Sequence, residues 1–350
     1  MHLKVNLLEM ERKQVAIVGA GIIGVTTAVR AIETVPGIEA TIISDKFSPN
    51  TTGDGAAGFW NPYLLEGCSP EKIELWCQET FSYLLNLLQS PDSSTNGIGL
   101  VSGYILSEHF MERPSYAKVF LEYRDLTKKE LEFFGNKYKY GVFVTSIYVE
   151  CSKLLPQLMK SFQAKGGKIV QRKINKLSEL AGEYDIVINC TGVEAARVVP
   201  DPDIRPIRGQ VFRVKAPWVK HIFLGGEDFY ILPNTDTVVL GGTRQAGDWN
   251  KDIYLEDSKK IWKGCCELIP SLQHAEIVKE WVGLRPGCSK GPKLSREVVV
   301  GSNGKKIQVI HHYGHGGSGI TVFWGTAGDV MKLLQKSVSE LEPNIFRARL

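Results

Sequence analysis

The run Gly19-Ala20-Gly21-Ile22-Ile23-Gly24 narrows the folds open to this chain more than any other feature, because of what flanks it. Gln14 to Val18 is a short apolar segment of strand composition, and an apolar pattern at helical spacing leads away from the glycines to about Val35. A strand that passes through glycines into a helix aims the free N–H groups and positive dipole end of that helix at an anion. The three glycines do different things. Gly19 permits the tight turn, Gly21 lets the backbone approach a pyrophosphate, and Gly24 removes a side chain where helix and sheet pack closely. A second strand, Ala40 to Ile43, runs into Ser44-Asp45, and Asp45 stands twenty-one residues beyond Gly24. A carboxylate at that spacing accepts hydrogen bonds from an adenosine ribose. The pattern predicts a dinucleotide-binding βαβ unit, and since pyrophosphate and ribose are common to NAD and FAD, it leaves the choice between them open.

At 350 residues the chain is long enough for a second structural unit. Lys and Arg number 42 against 38 for Asp and Glu, a formal +4 that gives no general reason to wrap nucleic acid or lie on an acidic membrane. Any electrostatic specialisation is therefore local. The seven cysteines (Cys68, Cys77, Cys151, Cys190, Cys265, Cys266, Cys288) form no C-x-x-C pair, and the odd count favours buried thiols in a reducing compartment over a disulfide framework. No metal site is expected from them. No run of 18 apolar residues is fit to insert in a bilayer, and the first residues lack the apolar segment of a secretory signal. The expectation is a soluble intracellular protein. The terminal Ala348-Arg349-Leu350 has the small, basic, leucine pattern of a peroxisomal address.

Further along, Thr51 to Gly58 is a small-residue stretch suited to letting backbone approach a flat ring system, and it leads into Phe59-Trp60-Asn61-Pro62-Tyr63. Pro70 to Leu88 has a helical apolar stripe with Ile73, Trp76, Phe81, Leu84 and Leu88. Strands are expected at Leu100 to Leu106 and Val142 to Tyr148, and helices at Thr127 to Phe134 and Ser152 to Gln163. Ile169 to Gln171 and Tyr184 to Cys190 are strand candidates, the latter ending in an Asn189-Cys190-Thr191-Gly192 turn. From Arg205 the pattern is strand-rich, at Gly209 to Ala216, Phe229 to Leu232, Thr237 to Gly241 and Ile277 to Val282, with a helix at Asp257 to Glu267. This predicts an antiparallel second domain. A last strand, Ile307 to His312, enters Tyr313-Gly314-His315-Gly316-Gly317-Ser318-Gly319, which opens a long helix. A second glycine-lined helix start could stabilise negative charge on a reduced flavin, for which an NAD enzyme has less need.

These motifs together resemble the D-amino-acid oxidase and D-aspartate oxidase family. The resemblance rests on VGAGIIG at 18–24, IISDKFSPNTTGDGAAG at 42–58, NCTG at 189–192, RGQ at 208–210, GGTRQAGDWN at 241–250, GLRP at 283–286 and HHYGHGGSGIT at 311–321. It implies an α/β fold with FAD as cofactor: a Rossmann-type FAD-binding domain assembled from separated segments, 1–60, 150–200 and 286–350, and an antiparallel-sheet α+β substrate domain from 61–149 and 201–285. Cofactor contacts would come from Gly19 to Gly24, Asp45, Lys46, Thr51, Thr52, Gly53, Gly58, Phe59, Ile174, Gly316, Gly317, Ser318, Gly319, Ile320 and Thr321. The family also carries an address-like C-terminal tripeptide, which implies a peroxisomal import receptor as partner. A homodimer, a tetramer and a monomer all stay open.

The resemblance further places Arg285 and Tyr230 against the substrate α-carboxylate and the Gly317 carbonyl on the substrate amine; a guanidinium fork suits a carboxylate. Tyr230 is expected on the strand preceding the GGTRQ segment. Arg244 separates the subfamilies. A second substrate carboxylate needs a cation, whereas a desolvated guanidinium facing neutral side chains is costly, so Arg244 argues for acidic substrates. Two departures qualify this: Phe59 to Leu64 looks closer to the neutral oxidases, and Gly317 stands where mammalian D-aspartate oxidases have serine. The His221 to Phe229 connection reads as short. The implied chemistry is hydride transfer from the α C–H of a D-amino acid to flavin N5, then reoxidation by oxygen to hydrogen peroxide and hydrolysis of the imine to keto acid and ammonia. It needs no side-chain nucleophile, and His315 reads as a satisfied structural histidine rather than a base. Oxidation of neutral D-amino acids, NAD-dependent dehydrogenation and non-catalytic dinucleotide binding are the rival readings.

Overall fold

The computed structural model describes residues 12–135, 137–226 and 229–341. The chain opens with β1 (Lys13–Val18), α1 (Ile22–Thr34) and β2 (Ile38–Ser44). It continues through α2 (Pro70–Leu88), β3 (Ile98–Ser107), β4 (Glu122–Asp125), α3 (Lys128–Phe133), β5 (Tyr140–Val149), α4 (Cys151–Ala164), β6 (Lys168–Gln171), β7 (Ile186–Asn189) and α5 (Ala195–Val198). The strand-rich part holds β8 (Ile204–Lys215), β9 (Ile222–Gly225), β10 (Phe229–Pro233), β11 (Val238–Gly241), β12 (Gln245–Ala246), α6 (Leu255–Leu268) and β13 (Glu276–Cys288). It closes with β14 (Lys293–Val300), β15 (Lys306–Tyr313) and α7 (Gly319–Leu341).

Two sheets organise these elements. The first has the order β14-β15-β7-β1-β2-β6, all parallel except the antiparallel edge strand β14. Its central strand β1 is buried on both faces: Val15 and Ile17 belong to the main core with α1, α2, α4 and α7, while Ala16 and Val18 belong to a cluster with Ile174, Leu177 and Leu180. A strand covered on both sides reads as an unbroken apolar run, which is why β1 is visible in the sequence. The second sheet has nine strands, β12-β8-β11-β10-β9-β3-β5-β4 with β13 also paired to β8, and only the β3–β9 pair is parallel. Its Phe212, Val214, Ile231 and Leu240 pack on Ile261 and Cys265 of α6.

The helix expected at Pro70 to Leu88 forms with those bounds because Ser69 accepts from the Lys72 N–H and Pro70 needs no donor at the first position. It packs on α7 beside the first sheet, where a Cβ at Gly325 would stand 2.5 Å from the Trp76 Cα. Three strand assignments differ from the sequence reading. The edge strand β14 is not expected from sequence because KLSREVVV is half solvent-facing and polar, as edge strands are. The segment after His221 contains β9, paired antiparallel with β10. Finally, β13 does not stop at Val282 but runs through Gly283, Arg285 and Pro286; Pro286 pairs with Pro206, so two residues that lack an N–H share one rung. β13 therefore stays in the second sheet as far as Cys288.

Candidate active site

One cavity of about 710 Å³ extends from the start of α1 to the strands of the second sheet. Gly19, Ala20, Gly21, Ile22 and Ile23 form its wall at one end, with Asp45 and Lys46 just beyond β2 and the buried Ile174 beyond β6. No side chain caps α1 and its first turn holds no acidic residue, so its leading N–H groups are left for a ligand. A Cβ at Gly21 would meet no atom within 4 Å, which is room for a phosphate to reach the backbone. Gly24 does not line the cavity. It faces inward, where a Cβ would lie 1.9 Å from the Gly19 carbonyl oxygen. This cradle fits a dinucleotide.

The stretch from Thr51 to Gly58 is a built turn rather than a loose loop. Asp54, buried, accepts from the N–H and hydroxyl of Thr51 and from the Ser48 hydroxyl. Arg213 Nη2 on β8 donates to the Ala56 carbonyl and Asn234 Nδ2 to the Ala57 carbonyl, each over 3.0 Å, so the second sheet holds this turn in place. Gly58 has φ +84°, and a Cβ there would strike the Val149 carbonyl oxygen at 2.3 Å. Thr51, Thr52, Gly53, Gly58 and Phe59 all line the cavity.

At the far end, Tyr230, Arg244 and Arg285 face the same space. Arg285 Nη1 donates to the Thr243 carbonyl over 3.0 Å, and a Cβ at Gly209 would crowd it at 2.5 Å. Burial raises the Tyr230 hydroxyl pKa while the neighbouring Arg285 opposes the rise, so the phenol stays a donor at neutral pH. Tyr230 sits on β10, and β11 intervenes before the GGTRQ segment, contrary to the expected adjacency; the ring lies across Gly241, its register partner. Arg244 corrects a second expectation. It is solvent-exposed at the cavity edge, so its guanidinium is not desolvated and the burial cost invoked from the sequence does not apply.

Gly316, Gly317, Gly319, Ile320 and Thr321 line the cavity where α7 begins. Ser318 does not. Its Oγ accepts from the Tyr63 N–H at 2.7 Å and donates to the Tyr63 carbonyl at 2.8 Å, which ties the 61–64 segment to α7. The buried Trp60 adds a second tie, its Nε1 donating to the Thr321 carbonyl.

The RGQ motif carries no role in the sequence reading, and the structure supplies one. Arg208 is fully buried; it donates to the side chains of Gln245, Asp257 and Gln210 and to the carbonyls of Asn250 and Asp252, with its guanidinium 4.0 Å from the Tyr254 ring centre. This knot fixes the turn that carries Arg244.

His312 and His315 are both buried, with ring centres 5.0 Å apart. His312 is satisfied. Its Nδ1 lies 2.9 Å from Thr27 Oγ1 and its Nε2 3.0 Å from Thr326 Oγ1, and a neutral ring donates through one nitrogen and accepts through the other. His315 contradicts the sequence reading: it lines the cavity and neither ring nitrogen has a hydrogen-bond partner, a state that costs roughly 1–3 kcal/mol per group. Burial lowers the His315 pKa to about 3 and that of His312 well below 6.5. Both are therefore neutral. As pH falls below about 6.5 the unfolded chain binds protons that the folded chain refuses, so stability is full above that pH and is lost on acidification toward 3. Urea midpoints measured between about pH 6.5 and 5 should fall with pH, and His315→Leu should remove one proton, about 1.4 kcal/mol per pH unit, from that slope. An unchanged slope would contradict the neutral burial.

All seven cysteines are unbridged and all but Cys68 buried. Among the described residues no group of three or more His, Cys, Asp or Glu could hold a metal, and no helix is long and apolar enough to cross a membrane. The terminal tripeptide lies outside the described residues.

With this geometry in hand, comparison with known proteins is specific. Residues 14–333 match the family described as FAD dependent oxidoreductase. The chain is 40% identical over 344 residues to D-aspartate oxidase of Homo sapiens, covering 97% of this chain and 100% of that protein. It is 39% identical over 326 residues to D-amino acid oxidase of Dugesia ryukyuensis, covering 91% and 97%. Its fold matches the crystal structure of glycine oxidase from Geobacillus kaustophilus with a TM-score of 0.73 at 18% identity, covering 95% of this chain and 96% of the other.

Proposed function

The chain belongs to the FAD-dependent oxidoreductase family, and from that membership we propose that it oxidatively deaminates acidic D-amino acids, D-aspartate foremost. It uses FAD, and its similarity to D-aspartate and D-amino acid oxidases covers nearly the whole chain. The observation that carries the substrate reading is that one cavity joins the Gly21 cradle to Tyr230, Arg244 and Arg285. We assign 1–60, 150–200 and 286–350 to the cofactor domain and 61–149 and 201–285 to the substrate domain, with the last boundary moved to follow Cys288 because β13 stays paired with β8 to that residue; the first-sheet strands all come from the former segments.

When bound, FAD supplies a two-electron acceptor for the hydride of the substrate α C–H and passes the electrons to oxygen, giving hydrogen peroxide. The protein's share is positioning. Arg285 offers its guanidinium fork and Tyr230 its hydroxyl to the α-carboxylate, and the Thr243 carbonyl holds Arg285 in place. The Gly317 carbonyl receives the amine, which reacts uncharged because its lone pair must support the developing C=N bond. Arg244 reaches the second carboxylate from the cavity edge. Water then hydrolyses the imine to keto acid and ammonia. Neither His312 nor His315 is a base here; His312 has both nitrogens occupied, and no proton transfer requires them. On the same reading the protein works in the peroxisome matrix, delivered by a receptor for Ala348-Arg349-Leu350.

A second reading, oxidation of neutral D-amino acids, draws support from the exposure of Arg244. Anaerobic reduction of the purified flavoprotein by D-aspartate, D-alanine and their L-enantiomers separates the two. D-aspartate should reduce the flavin fastest and the L-forms should not; a preference for D-alanine would favour the second reading. Arg244→Ala should cost D-aspartate about tenfold to a hundredfold in kcat/KM, the loss of one charge-assisted pair, and D-alanine much less. Equal losses would remove Arg244 from the substrate contact.

A further inference from the structure

Arg285 enters the cavity from β13, and the same strand also meets the 51–58 turn. Trp281, Gly283 and Arg285 alternate with Val282 and Leu284, so they share one face of β13. Gly283 pairs with Gly209 of β8, and a large side chain lies over each of these two glycines. A Cβ at Gly283 would stand 2.0 Å from Trp281 Cη2, and one at Gly209 would stand 2.5 Å from both Nη atoms of Arg285. The indole and the guanidinium are therefore neighbours across one rung of the sheet. The same indole touches the turn, where a Cβ at Gly55 would fall 2.2 Å from its Cε2 and Cζ2. Neither Gly55 nor Gly283 has a positive φ, so their backbones would suit other residues. What excludes a side chain at both is the indole.

Trp281 thus packs on the turn and on the strand beside Arg285, and it lines the cavity that both face. The other ties on the turn lie further along it, at the Ala56 and Ala57 carbonyls, while Thr52 Oγ1 is 3.5 Å from the Leu284 carbonyl oxygen. The height of Gly55 above β13 is left to the indole. Transfer of a hydride needs the reacting atoms about 3–3.5 Å apart. With the α-carboxylate on Arg285 and the flavin ring against the turn, that gap follows the offset between turn and strand. Given the FAD-dependent function proposed above, on which this rests, we propose that Trp281 is a positioning residue that sets the offset between the flavin and the carboxylate anchor. Its loss should slow hydride transfer while leaving the binding of either ligand nearly intact.

The test is anaerobic stopped-flow reduction of the holoenzyme flavin over a range of D-aspartate concentrations, which separates the limiting rate of reduction from the substrate Kd. Trp281→Leu should lower the limiting rate about tenfold or more and move Kd by less than about threefold, with flavin content unchanged. Trp281→Phe keeps a ring and should lose less. A residue that served only to stabilise the fold would lower the urea midpoint and leave the limiting rate alone. Gly55→Ala, which adds a methyl where the indole lies, should also slow reduction. Combined with Trp281→Leu, which vacates that space, it should cost less than the product of the two single losses. An unchanged limiting rate in Trp281→Leu, a loss confined to Kd, or strictly multiplicative losses in the double variant would overturn the inference and leave the proposed function standing. If Trp281→Leu does not fold, the limiting rates of Trp281→Phe and Gly55→Ala decide the matter. A wild-type flavin that no D-amino acid reduces would overturn the proposed function, and the inference with it.

Discussion

Arg285→Leu is expected to lower kcat/KM for D-aspartate by about a thousandfold, the cost of leaving a substrate carboxylate without its charged, hydrogen-bonded partner in a partly desolvated site. The structure makes this position hard to replace. The Thr243 carbonyl orients one edge of the guanidinium and the absent side chain of Gly209 leaves room beneath it. Arg285→Lys keeps the charge but loses the fork, so it should recover only part of the activity. Flavin content should be unchanged in both variants, which separates a lost anchor from a damaged cofactor site. Steady-state oxygen consumption with D-aspartate measures the effect, and a loss smaller than about tenfold would mean that the α-carboxylate is held elsewhere.

The second large effect concerns two glycines three residues apart that look alike in sequence. Gly24→Ala would place a Cβ 1.9 Å from the Gly19 carbonyl oxygen and 3.2 Å from Cys190 Cβ. The first of these neighbours is backbone and cannot swing away, so helix and sheet must separate at a cost of about 1–3 kcal/mol or more. The expected outcome is a lower urea midpoint together with loss of bound flavin. Gly21→Ala adds its methyl where no protein atom stands within 4 Å, so stability should hold while FAD affinity falls, because the methyl takes space meant for phosphate. Denaturation curves and flavin content for the two variants check this contrast. If Gly21→Ala bound FAD normally, the cradle would not be where the pyrophosphate lies.

Much of this arrangement is legible in the sequence, and for identifiable reasons. β1, α1 and β2 announce themselves because strand, glycines, helix and acid occur in fixed order, and α2 because its cap and apolar stripe are local signals. What stays hidden depends on partners distant in sequence. β14 is a strand only because β15 lies beside it, and β13 extends through Gly283 and Pro286 because β8 pairs with it along its length. Arg244 reads as a desolvated charge from its motif, but how far a turn projects into solvent is set by the Arg208 knot, whose members at 245, 250, 252 and 257 meet only on folding. His315 cannot be told from His312 in the sequence HHYGH; the difference lies in two threonines, Thr27 and Thr326, that answer one ring and not the other. The RGQ motif is the one available signal for the knot, since a buried arginine needs several acceptors and the following GDWN segment carries turn residues.

The continuity of the cavity, from Gly21 at one end to Arg285 at the other, also bears on how the two ligands sense each other. A flavin seated against the 51–58 turn would form one wall of the space before Arg285 and Tyr230, so the substrate pocket is complete only in the holoprotein. A carboxylate that binds only to that completed pocket must, by thermodynamic reciprocity, tighten the grip on the flavin by the same factor that the flavin tightens its own. In a cell the supply of acidic D-amino acids would then govern how long each molecule keeps its cofactor as well as how fast it turns over.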